Sequence, residues 1–94
     1  MEIEWSERAR LDLQNIAECL TRNWSLDVLF RFESKLDESI QRVIQNPKSF
    51  QLAKSQIGLR KIVIPKHNTI YYKVNDFKIE IVRLFDTRQN PKKI

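Results

Sequence analysis

Apolar residues recur along this chain in two different periods, and the change falls near Gly58. Before it, Ala9, Leu13, Ile16, Ala17 and Leu20, and then Leu29, Phe32, Leu36, Ile40, Val43 and Ile44, return every three or four positions. That spacing predicts two helices, each with one apolar face. After it the period falls to two, which predicts strands over 59–64, 69–74 and 78–85. Ile3 and Trp5 on either side of Glu4 suggest one more short strand at the start.

Local chemistry sets the boundaries. Ser6 offers a hydroxyl to cap the first helix, and Glu7 suits its positive N-terminal end. Asn23-Trp24 interrupts the pattern, and Ser25 with Asp27 opens the second helix in the same way. Asn46-Pro47 ends it, because a residue before proline disfavours helical geometry. Pro65-Lys66-His67-Asn68 and Asn75-Asp76 are turn sequences short enough to make the last three strands an antiparallel meander. Residues 48–58 have no clear period, and Phe50 and Leu52 are expected to fasten that loop to the core. The order β, αα, βββ predicts a single two-layer α+β domain over 1–94. An antiparallel helical hairpin would cover one face of a three- to four-stranded antiparallel sheet.

Composition narrows the class. The chain is 41% apolar and 31% charged with one glycine and three prolines, which is globular and leaves no room for a flexible linker. No run approaches the roughly 18 apolar residues of a membrane span. The acidic opening Met1-Glu2-Ile3-Glu4-Trp5 lacks the features of a signal peptide. A lone Cys19, with no disulfide partner in the chain, agrees with a cytoplasmic location. The net charge of +5 is unevenly spread. Residues 1–46 hold six Lys/Arg and nine Asp/Glu (6 − 9 = −3), whereas residues 47–94 hold eleven and three (11 − 3 = +8). The second half therefore offers a surface for an anionic partner.

Several chemistries are excluded. One Cys and one His cannot make an ordinary zinc site, a single glycine cannot make a P-loop or a dinucleotide fingerprint, and no motif supports a serine–histidine triad. No metal and no cofactor is expected.

The strand, the helix "SERARLDLQNIAECL", the second helix ending in "NP" and the run "LRKIVIPKHNTIYYKVNDFKIEIVRLFDTRQNP" resemble the RelE/ParE toxin superfamily of bacterial type II toxin–antitoxin modules. The markers are Ser6, Ala9, Leu13, Pro47, Arg60, the "IYYKV" strand and Arg88, and the likeness covers nearly the whole chain. The resemblance implies a growth-arresting toxin, associated with plasmid stabilization, that is silenced by a cognate antitoxin with an acidic or amphipathic tail. It offers two targets. ParE-like members inhibit DNA gyrase, and RelE-like members are ribosome-dependent endoribonucleases that cut mRNA. A third possibility is a non-toxic module that retains only antitoxin binding.

Cleaving RNA by internal attack requires a base, an acid and cations on the phosphate. Arg60 and Arg88 match basic positions of the RelE-like members, and His67 is the only histidine, so these three are the catalytic candidates. The chain departs from that pattern at Thr69, where many RelE-like nucleases carry arginine. It departs again in Pro91-Lys92-Lys93-Ile94, which lacks their tyrosine or histidine. The ParE-like reading is therefore preferred.

Target-binding candidates are Arg60, Lys61, Tyr71, Lys73, Arg83 and Arg88. Tyr72 shares a face with Ile70 and Val74 and belongs to the core, while Tyr71 lies with Thr69 and Lys73 on the polar face and could stack on a base. Strict alternation places Arg83 beside Ile79, Ile81 and Phe85. On a face toward the helices it would need a carboxylate or the sheet rim, and on the open face it would join Arg60 or Lys61. Arg88 follows the strand in a turn formed by Asp86, Asn90 and Pro91. It is expected to be exposed there, with its fork of donors turned to an anion.

Overall fold

The computed structural model describes residues 1–54, 58–64 and 66–89. Its elements are β1 (Glu2–Trp5), α1 (Glu7–Asn23), α2 (Leu26–Gln45), β2 (Leu59–Ile64), β3 (Asn68–Val74), β4 (Lys78–Asp86) and a 3-10 turn (Thr87–Gln89). Both helix starts are capped as expected. The Ser6 hydroxyl accepts from the Ala9 N–H and the Ser25 hydroxyl from the Val28 N–H. The last helical turn of α2 closes at Asn46, one residue before Pro47. Gly58 takes a φ of +81° immediately before β2, a conformation that a side chain would strain. Pro65 of the first expected turn, and Asn90 and Pro91 of the last, lie outside the described residues, as does the 92–94 end.

The sheet order is β1-β4-β3-β2. Strands β2, β3 and β4 form the antiparallel meander, and β1 joins β4 in parallel register, so the four-stranded sheet is mixed. One face packs against the helices. Ile62, Ile70, Tyr72, Ile79, Ile81 and Leu84 meet Ile16 and Leu20 of α1 and Phe32, Leu36 and Val43 of α2 in a single core. The phase of both helices is therefore as the periodicity predicts. Tyr72 is fully buried, with its hydroxyl donating to the Pro47 carbonyl at 2.8 Å, and burial raises its pKa against the opposing effect of Arg60.

The loop after α2 behaves only half as expected. Phe50 packs edge-on against Tyr72, but Leu52 stays exposed. The backbone of 51–53 runs along β2 instead, where Ala53 donates to the Leu59 carbonyl and Lys61 to the Gln51 carbonyl. This backbone pairing shields part of the β2 edge and leaves Leu52 no core to enter.

One irregularity in β4 decides the faces of its second half. Tyr71 pairs with Arg83 but Tyr72 pairs with Ile81, so Val82 is an extra residue in β4. Such a bulge shifts the alternation by one position. Ile79 and Ile81 face the helices before it, and Leu84 and Asp86 do so after it. Arg83 and Phe85 are thereby turned to the open face. Strict alternation had grouped both with Ile79 and Ile81, and the bulge overturns that grouping.

The bulge lies where β1 ends. Beyond Ile81, the outer edge of β4 is covered by α1 in place of a strand. The Ser6 hydroxyl donates to the Val82 carbonyl, the Asp12 carboxylate accepts the Leu84 N–H at 2.9 Å, and the Cys19 thiol reaches the Arg88 carbonyl. Backbone groups that would otherwise be an exposed edge are satisfied by side chains.

Candidate functional site

The open face of the sheet carries two rows of side chains across three strands. Lys61, Tyr71 and Arg83 stand opposite one another on β2, β3 and β4, and Val63, Thr69 and Phe85 form the next row. Neighbouring rows on one face are within reach of aromatic and long side chains. Tyr71 meets Phe85 edge-to-face with centroids 5.7 Å apart, and the Arg83 guanidinium lies 4.5 Å over the Phe85 ring. Lys73 lies on the same face opposite Glu80. The other carboxylates of this face, Glu2 and Glu4, gather at its β1 side, where Glu4 pairs with Lys78 at 2.6 Å. Beyond that acidic corner the face presents aromatic rings edged by cations. This is a combination suited to a flat anionic partner.

Arg83 is fixed in this arrangement. Its Nε and Nη2 donate to the two oxygens of Asp12 at 2.8 and 3.2 Å. Burial alone would raise the Asp12 pKa, but hydrogen bonds from Arg83 and the Leu84 N–H, with the nearby Arg8 charge, hold it below the usual carboxylate range. A bidentate pair of this kind removes rotamer freedom from the arginine in advance of binding. The open-face alternative for Arg83 is the one the structure takes, with Lys61 in its row, and the helix-facing one is overturned. It lies on the open face, and it reaches a carboxylate at the sheet edge. Asp12 itself was missed by the sequence reading, although it sits in the Ala9–Leu13–Ile16 stripe, where an acidic residue is out of place unless paired.

The structure brings Lys61, Tyr71, Lys73 and Arg83 onto one surface and separates the other candidates from it. Arg60 points to the opposite side of β2, where its guanidinium donates to the Phe50 carbonyl at 2.7 Å. It therefore does not join Arg83. His67 lies in the β2–β3 turn with Nδ1 3.1 Å from the Thr87 hydroxyl. Arg88 is not the exposed turn residue that was expected. Its side chain is 14% exposed and forks onto the fully buried Asp86, with Nε and Nη2 at 3.0 and 2.7 Å from its two oxygens. Asp86 also receives the Arg88 N–H and the Asn68 amide. Burial pushes the Asp86 pKa up, but these donors more than offset it and leave the carboxyl below its ordinary value. The bulge turns Asp86 inward, and the Arg88–Asp86 pair is therefore a buried one.

Among the described residues, no cluster of three or more His, Cys, Asp or Glu side chains could hold a metal, and no helix is long and apolar enough to cross a membrane.

Comparison with known proteins matches this geometry. The family model for the ParE toxin of the type II toxin–antitoxin system parDE matches residues 3–91. A structure from the chromosomal ParDE toxin–antitoxin system of P. aeruginosa superposes with a TM-score of 0.78 at 16% identity, covering 92% of this chain and 95% of that one. YafQ from E. coli strain BL21(DE3) superposes with a TM-score of 0.61 at 17% identity, covering 90% of this chain and 91% of that one. No curated protein sequence matches the chain.

Proposed function

We propose that this chain, which belongs to the ParE toxin family of type II toxin–antitoxin systems, arrests growth by docking its open sheet face on DNA gyrase and does not cut nucleic acid. The observation that carries this reading is the composition of that face. Its central rows combine Lys61, Tyr71, Arg83 and Phe85, which can bind and stack, with neither a histidine nor a carboxylate among them to serve as a general base. Arg83 is engaged by Asp12. The only histidine is held at Thr87 in a turn and shares no row with Tyr71 or Arg83. A general base has to lie within hydrogen-bond reach of the proton it removes. Neither Arg60, turned to Phe50, nor Arg88, committed to Asp86, supplies a free cation to this face for a cleaved phosphate.

Two assays run side by side test the reading. Purified protein should inhibit supercoiling by gyrase and should leave ribosome-bound mRNA intact in a translation extract. Tyr71→Ala and Lys61→Glu should each weaken gyrase inhibition about tenfold, the effect of roughly 1.4 kcal/mol of lost binding. Codon-phased cleavage of mRNA without any effect on gyrase would favour the endoribonuclease reading instead. Normal growth of cells holding folded, soluble protein would leave only antitoxin binding.

A further inference from the structure

Away from the open face, a pocket of about 250 Å³ lies between the N-terminal half of α2, the β2–β3 turn and the 3-10 turn. Five basic side chains line it: Arg31, Lys35, Lys66, His67 and Arg88. No carboxylate is among its described lining residues. Val28 and Phe32 form an apolar wall, with Phe32 itself buried in the core. Three separate elements therefore converge positive charge on one small concavity. A plain solvated face would disperse these charges, because like charges repel.

The donors differ in their commitments. Arg31 is tethered at 2.6 Å to Asp27 one helical turn earlier, and Arg88 is tethered to Asp86. The buried bidentate pair holds the Arg88 guanidinium in place, while the exposed Arg31–Asp27 pair only biases the position of Arg31. Both keep N–H groups to spare, since only part of each five-donor fork is used. Lys35, one turn beyond Arg31, and Lys66 across the pocket join no carboxylate in the ion pairs of the described residues. The site thus offers one oriented fork at Arg88, a mobile one at Arg31, two ammonium groups outside the described ion pairs and an imidazole.

We infer that this pocket binds the phosphomonoester of a nucleotide, with the phosphate among Lys35, Lys66, Arg31 and His67 and the sugar or base against Val28 and Phe32. A phosphomonoester carries a charge of about −1.5 to −2 and three acceptor oxygens, which suits several convergent donors. A carboxylate brings a single charge and two oxygens and would leave more of the pocket's charge unmatched. The volume admits one nucleotide and excludes a duplex. The ligand is either a free nucleotide or the terminal phosphate of a strand, and the site is separate from the surface proposed to meet gyrase.

The test is a titration of the full chain followed by amide resonances, with uridine 5′-monophosphate, uridine and inorganic phosphate as probes. Uridine 5′-monophosphate should shift residues 28–35, 66–68 and 87–89 while Tyr71 and Phe85 stay unmoved. Uridine alone should not bind, and inorganic phosphate should compete. Lys35→Glu and Lys66→Glu change exposed side chains and should preserve the melting temperature. Each should weaken nucleotide binding about tenfold, since a ligand cation is replaced by a like charge. A 5′-phosphorylated trinucleotide that binds as tightly as the mononucleotide identifies a strand end as the source, and its exclusion identifies a free nucleotide. Shifts confined to the open face would overturn the inference. So would equal nucleotide affinity in the parent and both variants, or displacement of the nucleotide by far lower concentrations of an acidic peptide.

Discussion

Asp86 and Arg88 show how far one residue's role depends on its neighbours. An arginine two positions past an aspartate in a terminal turn ordinarily makes a surface contact worth about 0–1 kcal/mol. Here Asp86 has no exposed side-chain area, and its oxygens are filled by Arg88 and Asn68. Removing the arginine strands a buried charge, which usually costs about 3–5 kcal/mol. Arg88→Ala should fall at the lower end, about 3 kcal/mol, because the Asn68 amide and the Arg88 N–H remain. Urea unfolding at neutral pH measures it, and a loss near zero would return Arg88 to the surface. Loss of activity in this variant would then report unfolding before it reported a binding role. Acid should have a related effect. Asp12 and Asp86 both have depressed pKa values in the folded state. Their contribution is therefore complete above the unfolded value near 3.9 and is lost as pH falls through the lower folded values. Stability should stay level down to about pH 4 and then drop. Asp86→Asn should make that drop shallower, as chemical denaturation across pH 2–7 would show.

At the scale of elements, α1 has two duties. Its apolar stripe packs in the core, and its Ser6, Asp12 and Cys19 close the β4 edge beyond β1. Ser6→Ala removes a helix cap together with a bond to Val82. The expected loss is about 1–2 kcal/mol, above the usual value of about 1 for a cap alone. A thermal melt of Ser6→Ala beside Ser25→Ala, whose hydroxyl caps α2 at an exposed site, isolates the extra contribution. In α2, Leu36 is 5% exposed and lies in the shared core. Leu36→Ala should cost about 2–5 kcal/mol, the range for a buried leucine. An unchanged denaturant slope would show that the compact state persists.

For the molecule as a whole, charge and sheet geometry meet on one side. The +8 half supplies β2, β3 and β4, and its cations on the open face lie beyond the acidic corner at β1. As a toxin of a type II system the chain has a cognate antitoxin as partner, and the charge distribution favours an acidic segment of it on this face. Association should slow as salt rises from 0.05 to 0.5 M by about 10-fold or more, because steering is screened within a Debye length of about 10 Å at 0.1 M. Stopped-flow association rates decide this. Rates indifferent to salt would count against this placement of the antitoxin.

Most of the fold was legible in the chain because its determinants are local. Ser6, Ser25 and Pro47 mark the helix ends in their own neighbourhoods, and the change of apolar period at Gly58 marks the passage from helices to sheet. The same holds for Lys61, Tyr71 and Lys73, whose place on the open face follows from alternation in two regular strands. The roles of the arginines were not legible. Val82 interrupts β4 where β1 ends and α1 takes over its edge, and that handover joins residues some seventy positions apart. The bulge there turns Arg83 outward, where it reaches Asp12, and Asp86 inward onto Arg88. A sequence states the phase of a strand only while the strand stays regular. Where a bulge resets it, long-range pairing decides which charges are free to bind and which hold the molecule together.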